Sequence, residues 1–150
     1  MKPQQKTSFS KNGYYKASVD LTAAEIAALV TYCEKLQYET IFQHVGGAQD
    51  ANRFQAVVNR CAATEQLFTT IECVLNQACP LWEIKEVVAL KSNPDGPIQD
   101  IHRDMALADV ATALHETGYV PVGVIVGLMP ETRLRVFNGC FGDTIEVDQG

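Results

Sequence analysis

His102 and Asp104, two positions apart, are the residues whose types and spacing best suit metal chemistry in this chain. If residues 99–104 are extended, the two side chains lie on one face, about 6.5–7 Å apart along the strand. A neutral imidazole and a carboxylate can then hold one divalent cation, and iron(II) oxygenases use such a pair with a distant second histidine. The same pattern also fits a solvated strand end at which Arg103 and Asp104 face water, so its surroundings must decide between the two.

The segments around this pair predict mostly strands. Residues 83–91 are rich in β-formers and alternate, residues 92–97 hold dense turn chemistry, and residues 98–105 can be extended again. The continuous apolar run at 120–128 predicts a strand that is buried on both faces. Further strands are predicted at 132–137 and 144–148, while the alanine-rich stretch 106–115 predicts a short helix or a covering loop.

The first half of the chain predicts helices. Thr22 and Glu25 have the spacing of a capping box, and apolar residues follow at helical intervals up to Leu36. Apolar residues at 54, 57, 58 and 61 predict a short second helix. A third helix is predicted from about 63 to 78, and Pro80 ends it.

Composition limits the classes of function. The chain has 150 residues, 47% of them apolar, and a formal net charge of -6, which argues against broad electrostatic binding to nucleic acid or to an anionic membrane. The longest apolar run is well short of the roughly 20 residues that span a bilayer. The five cysteines are odd in number and form no Cys-x-x-Cys motif, which favours reduced thiols and a cytoplasmic location over a disulfide.

Helices first and short strands later predict an α+β fold in one domain, residues 1–150. Within it we expect a loose arm at 1–16, a helical layer at 17–80 and a β-rich core at 81–150. The strands of that core are predicted to be antiparallel.

The order of these features resembles a known family. A strand ending in Leu90-Lys91-Ser92, a Pro/Gly turn, Gln99 followed by His102 and Asp104, an insertion, a long apolar strand and a further strand follow one another. This order resembles the front half of the double-stranded β-helix, or jelly roll, of iron(II)/2-oxoglutarate-dependent dioxygenases. The prolyl-hydroxylase-like and phytanoyl-hydroxylase-like branches are the nearest in pattern. The resemblance covers roughly residues 83–150.

The resemblance implies that His102 and Asp104 are iron ligands, that 2-oxoglutarate is the cosubstrate and that a C–H bond is oxidised. It also makes Gln99 a candidate for orienting a ligand and Lys91 a candidate for reaching a carboxylate. Simpler interpretations exist for both, namely a polar residue at a strand edge for Gln99 and a solvated strand end for Lys91. The substrate itself does not follow, because relatives of this fold accept many classes of compound.

One departure from the family pattern is serious. The family uses a second, downstream histidine as third ligand and then an arginine or lysine for 2-oxoglutarate, whereas the only histidine after Asp104 is His115, in the insertion. The chain could be part of a longer enzyme, a version without catalysis, or a chain completed by another subunit. The last case would also cover an exposed sheet edge by self-association. The alternatives to an oxygenase are a non-catalytic interaction or scaffold domain with the same fold and, third, a cupin-like metal-binding module.

Overall fold

The computed structural model describes residues 13–14, 16–41, 52–94, 96, 103–130, 132, 134–137 and 146–149 of the chain. Three helices and five short strands are present in these ranges. In chain order the elements are α1 (Ala23–Glu34), β1 (Glu39–Thr40), β2 (Arg53–Val57), α2 (Glu65–Ala78), β3 (Val88–Ser92), α3 (Leu107–Thr117), β4 (Leu134–Phe137) and β5 (Glu146–Gln149).

Local chemistry sets the start of α1 and the end of α2. Thr22 caps α1 with a complete capping box, in which its hydroxyl accepts from the Glu25 N–H and the Glu25 carboxylate accepts from the Thr22 N–H at 2.7 Å. The helix α2 presents one apolar stripe and ends at Ala78, two residues before Pro80. The predicted capping box and the predicted third helix are therefore confirmed.

A three-stranded antiparallel sheet follows the order β1-β2-β3. Its register pairs Thr40 with Phe54 and Phe54 with Lys91, so these three side chains share one face. The predicted short helix at 54–61 is wrong, because residues 53–57 form the central strand β2. Burial there alternates, with Ala56 and Val58 buried while Val57 is 54% exposed, and cross-strand pairing on both sides outweighs a spacing that also fits a helix.

The hydrophobic core lies between α1 and α2. Leu29 of α1 packs with a row of α2 residues, Leu67, Ile71 and Leu75, and all four are buried. Partly buried apolar residues from the rest of the chain close over this cluster, namely Leu21, Trp82, Ile84, Val122, Val126 and Leu128. The core therefore joins the helices to the segment 120–128.

The second half of the described chain is more open. The helix α3 has no buried residue, and it ends at Gly118, whose φ of 74° lies in the left-handed region that favours glycine. The predicted buried strand at 120–128 is wrong: no ladder forms there, and Val124 and Ile125 are 45% and 56% exposed. An apolar run becomes a central strand only when strands lie on both sides of it, and none of the described strands does.

The remaining strands, β4 and β5, pair antiparallel with Val136 opposite Val147. They confirm strands near the two predicted positions, and α3 resolves the stretch 106–115 as a helix. The predicted strand at 83–91 is shorter than expected, because β3 begins only at Val88.

The fold class is mixed α+β, as predicted. The described strands form one three-stranded sheet and one two-stranded sheet, without the two facing sheets of a jelly roll. The stretch 17–80 contains β1 and β2 besides α1 and α2, so it is not purely helical. In the described ranges no helix combines the length and the apolar character needed to cross a membrane.

Candidate functional site

Asp104 is the member of the candidate metal pair that the structure describes. It lies exposed at a bend, three residues before α3 begins at Leu107, and is not part of a strand. His102 and Gln99 lie outside the described residues. The expectation of a strand through Asp104 therefore fails at Asp104 itself, whereas the spacing of its carboxylate from the His102 imidazole stays a prediction.

Lys91, the other candidate, lies on β3 and is exposed. Its ammonium group sits 5.7 Å from the centre of the Tyr38 ring, a cation–π distance, and its cross-strand neighbour is Phe54. Partial burial raises the pKa of Tyr38 above its ordinary value, so the ring stays a neutral phenol in the physiological range. The structure thus brings Lys91 together with Phe54 of the neighbouring strand and with Tyr38, which directly precedes β1.

His115, the only later histidine in the sequence, lies in the last turn of α3. Its side chain is exposed, and its place in the insertion that the family resemblance implies stays a prediction.

An open groove of about 710 Å³ runs along α2. Its walls come from α2, from the end of β2 and from the chain between α2 and β3, and its apolar lining includes Phe68, Leu75, Trp82 and Ile84. Sequence reasoning missed this groove, because its walls are joined only by the packing of distant segments. Trp82, the single tryptophan of the chain, makes the groove accessible to fluorescence measurements.

A charged cluster stands beside the groove. The Arg60 guanidinium donates to Glu65 at 2.9 Å and to Glu72 at 2.6 Å, and its carbon lies 5.4 Å from the centre of the Phe68 ring. The hydrogen bonds raise the pKa of Arg60 and lower the pKa of Glu65. Because two carboxylates already hold this guanidinium, the cluster ties the loop before α2 to the helix and leaves little capacity for an added anion.

Cys61 and Thr64 shape the turn that leads into α2. The buried Thr64 hydroxyl accepts from the Cys61 N–H at 2.8 Å and donates to the Asn59 carbonyl at 2.8 Å. The same hydroxyl lies 3.6 Å from the Cys61 sulfur, and as an alternative donor to that atom it lowers the pKa of the exposed Cys61 thiol. These bonds fully account for a buried hydroxyl, so Thr64 is structural.

The described residues contain no cluster of three or more His, Cys, Asp or Glu side chains that could hold a metal ion. No protein-family model matches the chain, and searches of curated proteins and of solved structures found no significant match. The features that bear on the chemistry of this protein are therefore the pair His102 and Asp104 and the order of the segments around it.

Proposed function

We propose that this chain is an iron(II)/2-oxoglutarate-dependent oxygenase, or the front part of one, with His102 and Asp104 as two of its iron ligands. The observation that carries the proposal is the position of Asp104. Its exposed carboxylate lies between β3 and α3, after the strand that ends in Lys91-Ser92 and ahead of the apolar segment 120–128. In the sequence, this is the order of segments on which the family resemblance rests.

The two proposed donors, an imidazole and a carboxylate, are ligand types that iron(II) prefers. An imidazole and a carboxylate on alternate residues supply two of the three ligands of a facial triad, and such sites keep open positions for a cosubstrate and oxygen. The bound metal would supply the oxidising chemistry on a substrate C–H bond. His102 and Asp104 would hold the metal without moving protons, and the exposure of Asp104 to solvent is compatible with this role.

The proposal includes the finer architecture. We infer that the antiparallel strands β3, β4 and β5 belong to a double-stranded β-helix whose further strands carry the third ligand and the basic residue for 2-oxoglutarate. The apolar segment 120–128 supports this, because it lies on the core through Val122, Val126 and Leu128 while Ile125, of opposite parity, is 56% exposed. The facing sheet of a jelly roll would cover that second side.

The test is metal binding by the 150-residue chain. Manganese(II), a redox-stable substitute for iron(II), should raise the melting temperature of the wild type. At a hundredfold excess over Kd the gain is about 2.7 kcal/mol, or roughly 5–10 °C for a chain of this size. His102→Ala and Asp104→Ala should remove the shift. Matched controls, His115→Ala and Asp109→Ala on α3, should keep it, and equal shifts in all five proteins would refute the assignment.

A second candidate function is an interaction or scaffold domain without catalysis. It is favoured by large apolar side chains left exposed in and around α3 and the segment after it, among them Leu107 at 66% and Met129 at 70%. Formation of succinate from 2-oxoglutarate by the metal-loaded protein separates the two. Turnover that His102→Ala abolishes supports the oxygenase, whereas the absence both of turnover and of any His102-dependent metal binding supports the scaffold.

A further inference from the structure

The edge of β3 that faces away from β2 is a site for another strand. In an antiparallel ladder alternate residues direct their N–H and C=O groups to the same neighbour. The Val58 N–H donates to the Val87 carbonyl at 2.9 Å and the Asn93 N–H donates to the Asn52 carbonyl at 2.8 Å. Odd-numbered residues from 87 to 93 therefore bond to β2, and the backbone groups of Val88, Leu90 and Ser92 face outward, where no described strand pairs with them.

Lys91 protects one face of this edge, whereas the face that carries Val88 and Leu90 holds no charge within β3. Val88 and Leu90 are 37% and 63% exposed, and they share a sheet face with Val57, which pairs with Val88 and is 54% exposed. Natural edge strands usually carry charges, prolines or bulges that prevent pairing. On this face β3 instead continues an apolar patch up to its outer edge.

We propose that two copies of this chain pair antiparallel through their β3 edges, with Ala89 on the two-fold axis, to form one six-stranded sheet. In this register Val88 lies opposite Leu90 of the second copy and Leu90 lies opposite Val88 of the second copy. The apolar row then runs from Val57 through Val88 to Leu90 of the second copy, and symmetry repeats it. Each such cross-strand pair is a stabilising unit of a sheet.

Charge complementarity selects this register and a second copy as the occupant. Arg53 pairs with Ser92 on the exposed face, and the exposed Glu86 lies two residues before β3 begins at Val88. With Ala89 on the axis, Glu86 of the second copy lies opposite Ser92, so Arg53 and that carboxylate flank a small side chain from its two sides. Symmetry supplies this contact twice.

The neighbouring symmetric registers are poorer. With Leu90 on the axis, Ser92 would face Val88, and Glu86 would face Pro94, which has no N–H to donate. With Val88 on the axis, Lys85 would lie directly opposite Lys91, and like charges at paired positions are destabilising. A pairing of two five-residue strands buries a small area, so we expect a reversible dimer with Kd of roughly 10–100 µM.

Sedimentation velocity of the 150-residue chain over a concentration series tests the proposal. The wild type should pass from monomer to dimer with rising concentration. Leu90→Lys should weaken the association at least tenfold, because it brings a charge into each of the two apolar pairs. Leu81→Lys is the matched control, since Leu81 is equally exposed at 63% but lies outside the sheet. A monomeric wild type at the highest concentration, or equal association of wild type and Leu90→Lys, overturns the proposal.

A disulfide cross-link tests the register. The two copies of residue 89 form a non-hydrogen-bonded pair with Cα atoms about 4.5 Å apart, a separation that a disulfide can bridge. Oxidised Ala89→Cys should give a dimer joined through residue 89, identified by mass spectrometry of the linked peptide. Gln55→Cys, at an exposed position on the central strand β2, should give no dimer joined through residue 55. Cross-linking of Ala89→Cys no stronger than that of Gln55→Cys would exclude this register.

Discussion

Two regions of the molecule use their apolar residues differently. In residues 16–94, which we call the core region, α1 and α2 bury a contiguous cluster around Leu29 and Ile71. In residues 103–137, the distal segment, none of the side chains that the structure describes is buried, although the stretch 120–128 is the most apolar of the chain. Apolar composition alone therefore does not produce burial, because a surface has to be available to cover the residues.

The difference follows from the geometry of the two kinds of element. The single apolar stripe of α2 is covered by Leu29 of α1 together with partly buried residues such as Trp82. An extended apolar segment has two faces and two backbone edges, and the core region covers one of these faces through Val122 and Val126. Asp104 lies at the start of this less covered segment. The candidate metal pair therefore belongs to the part of the chain whose exposed surface a metal, a cosubstrate or further strands could cover.

Truncating an apolar side chain should lower the unfolding free energy most in the core region. Ile71→Ala removes buried methyl groups from the α1–α2 cluster, and the loss of burial together with the cavity should cost about 2–5 kcal/mol of unfolding free energy. Ile125→Ala in the distal segment, where the side chain is 56% exposed, should stay within about 0.5 kcal/mol. Urea denaturation measures both, and similar losses would mean that the distal segment is buried after all.

An intermediate effect is expected at the end of α3. Gly118 has a positive φ of 74°, so Gly118→Ala should cost about 1 kcal/mol although nothing lies within 4 Å of the added Cβ. Gly123 has equal space without a positive φ, and Gly123→Ala should be neutral or slightly stabilising. Melting temperatures of the two variants give the comparison, and a neutral Gly118→Ala would show that α3 does not end in this turn.

The smallest effect concerns pH and the α1 cap. Hydrogen bonds from Thr22 hold the pKa of Glu25 below its ordinary value of 4.5, so the folded protein binds this proton less readily than the unfolded chain. The stabilisation is fully present above that value and is lost as the pH falls through the lower pKa of the folded state. Glu25→Gln should therefore flatten the decline of stability below about pH 4.5.

Thr22→Ala is the companion variant, because it removes the hydroxyl that donates to the Glu25 carboxylate at 2.7 Å. It should likewise flatten the decline, because the side-chain hydrogen bond from Thr22 is the largest cause of the lowered pKa of Glu25. The unfolding free energy is measured between pH 3 and pH 7. Identical pH profiles for Glu25→Gln and the wild type would show that the capping box does not contribute to the pH dependence.

Local sequence determined the parts of the fold whose interactions lie within a few residues. The capping box of Thr22 and Glu25, the apolar stripe of α2 and the stop before Pro80 could each be predicted because one helix turn contains all their partners. The spacing of His102 and Asp104 could likewise be recognised from sequence, and so could the α+β class.

Tertiary structure decided whatever depends on partners far along the chain. The spacing of Phe54, Val57 and Val58 fits a helix, yet β1 and β3 supply hydrogen bonds on both sides and make residues 53–57 a strand. The apolar stretch 120–128 received no neighbouring strand among those described, and Lys91 lies over Tyr38, which is 53 residues away in sequence. The physical reason is that a strand or a site is completed by surfaces from elsewhere in the chain, whereas a helix carries its hydrogen-bond partners within itself.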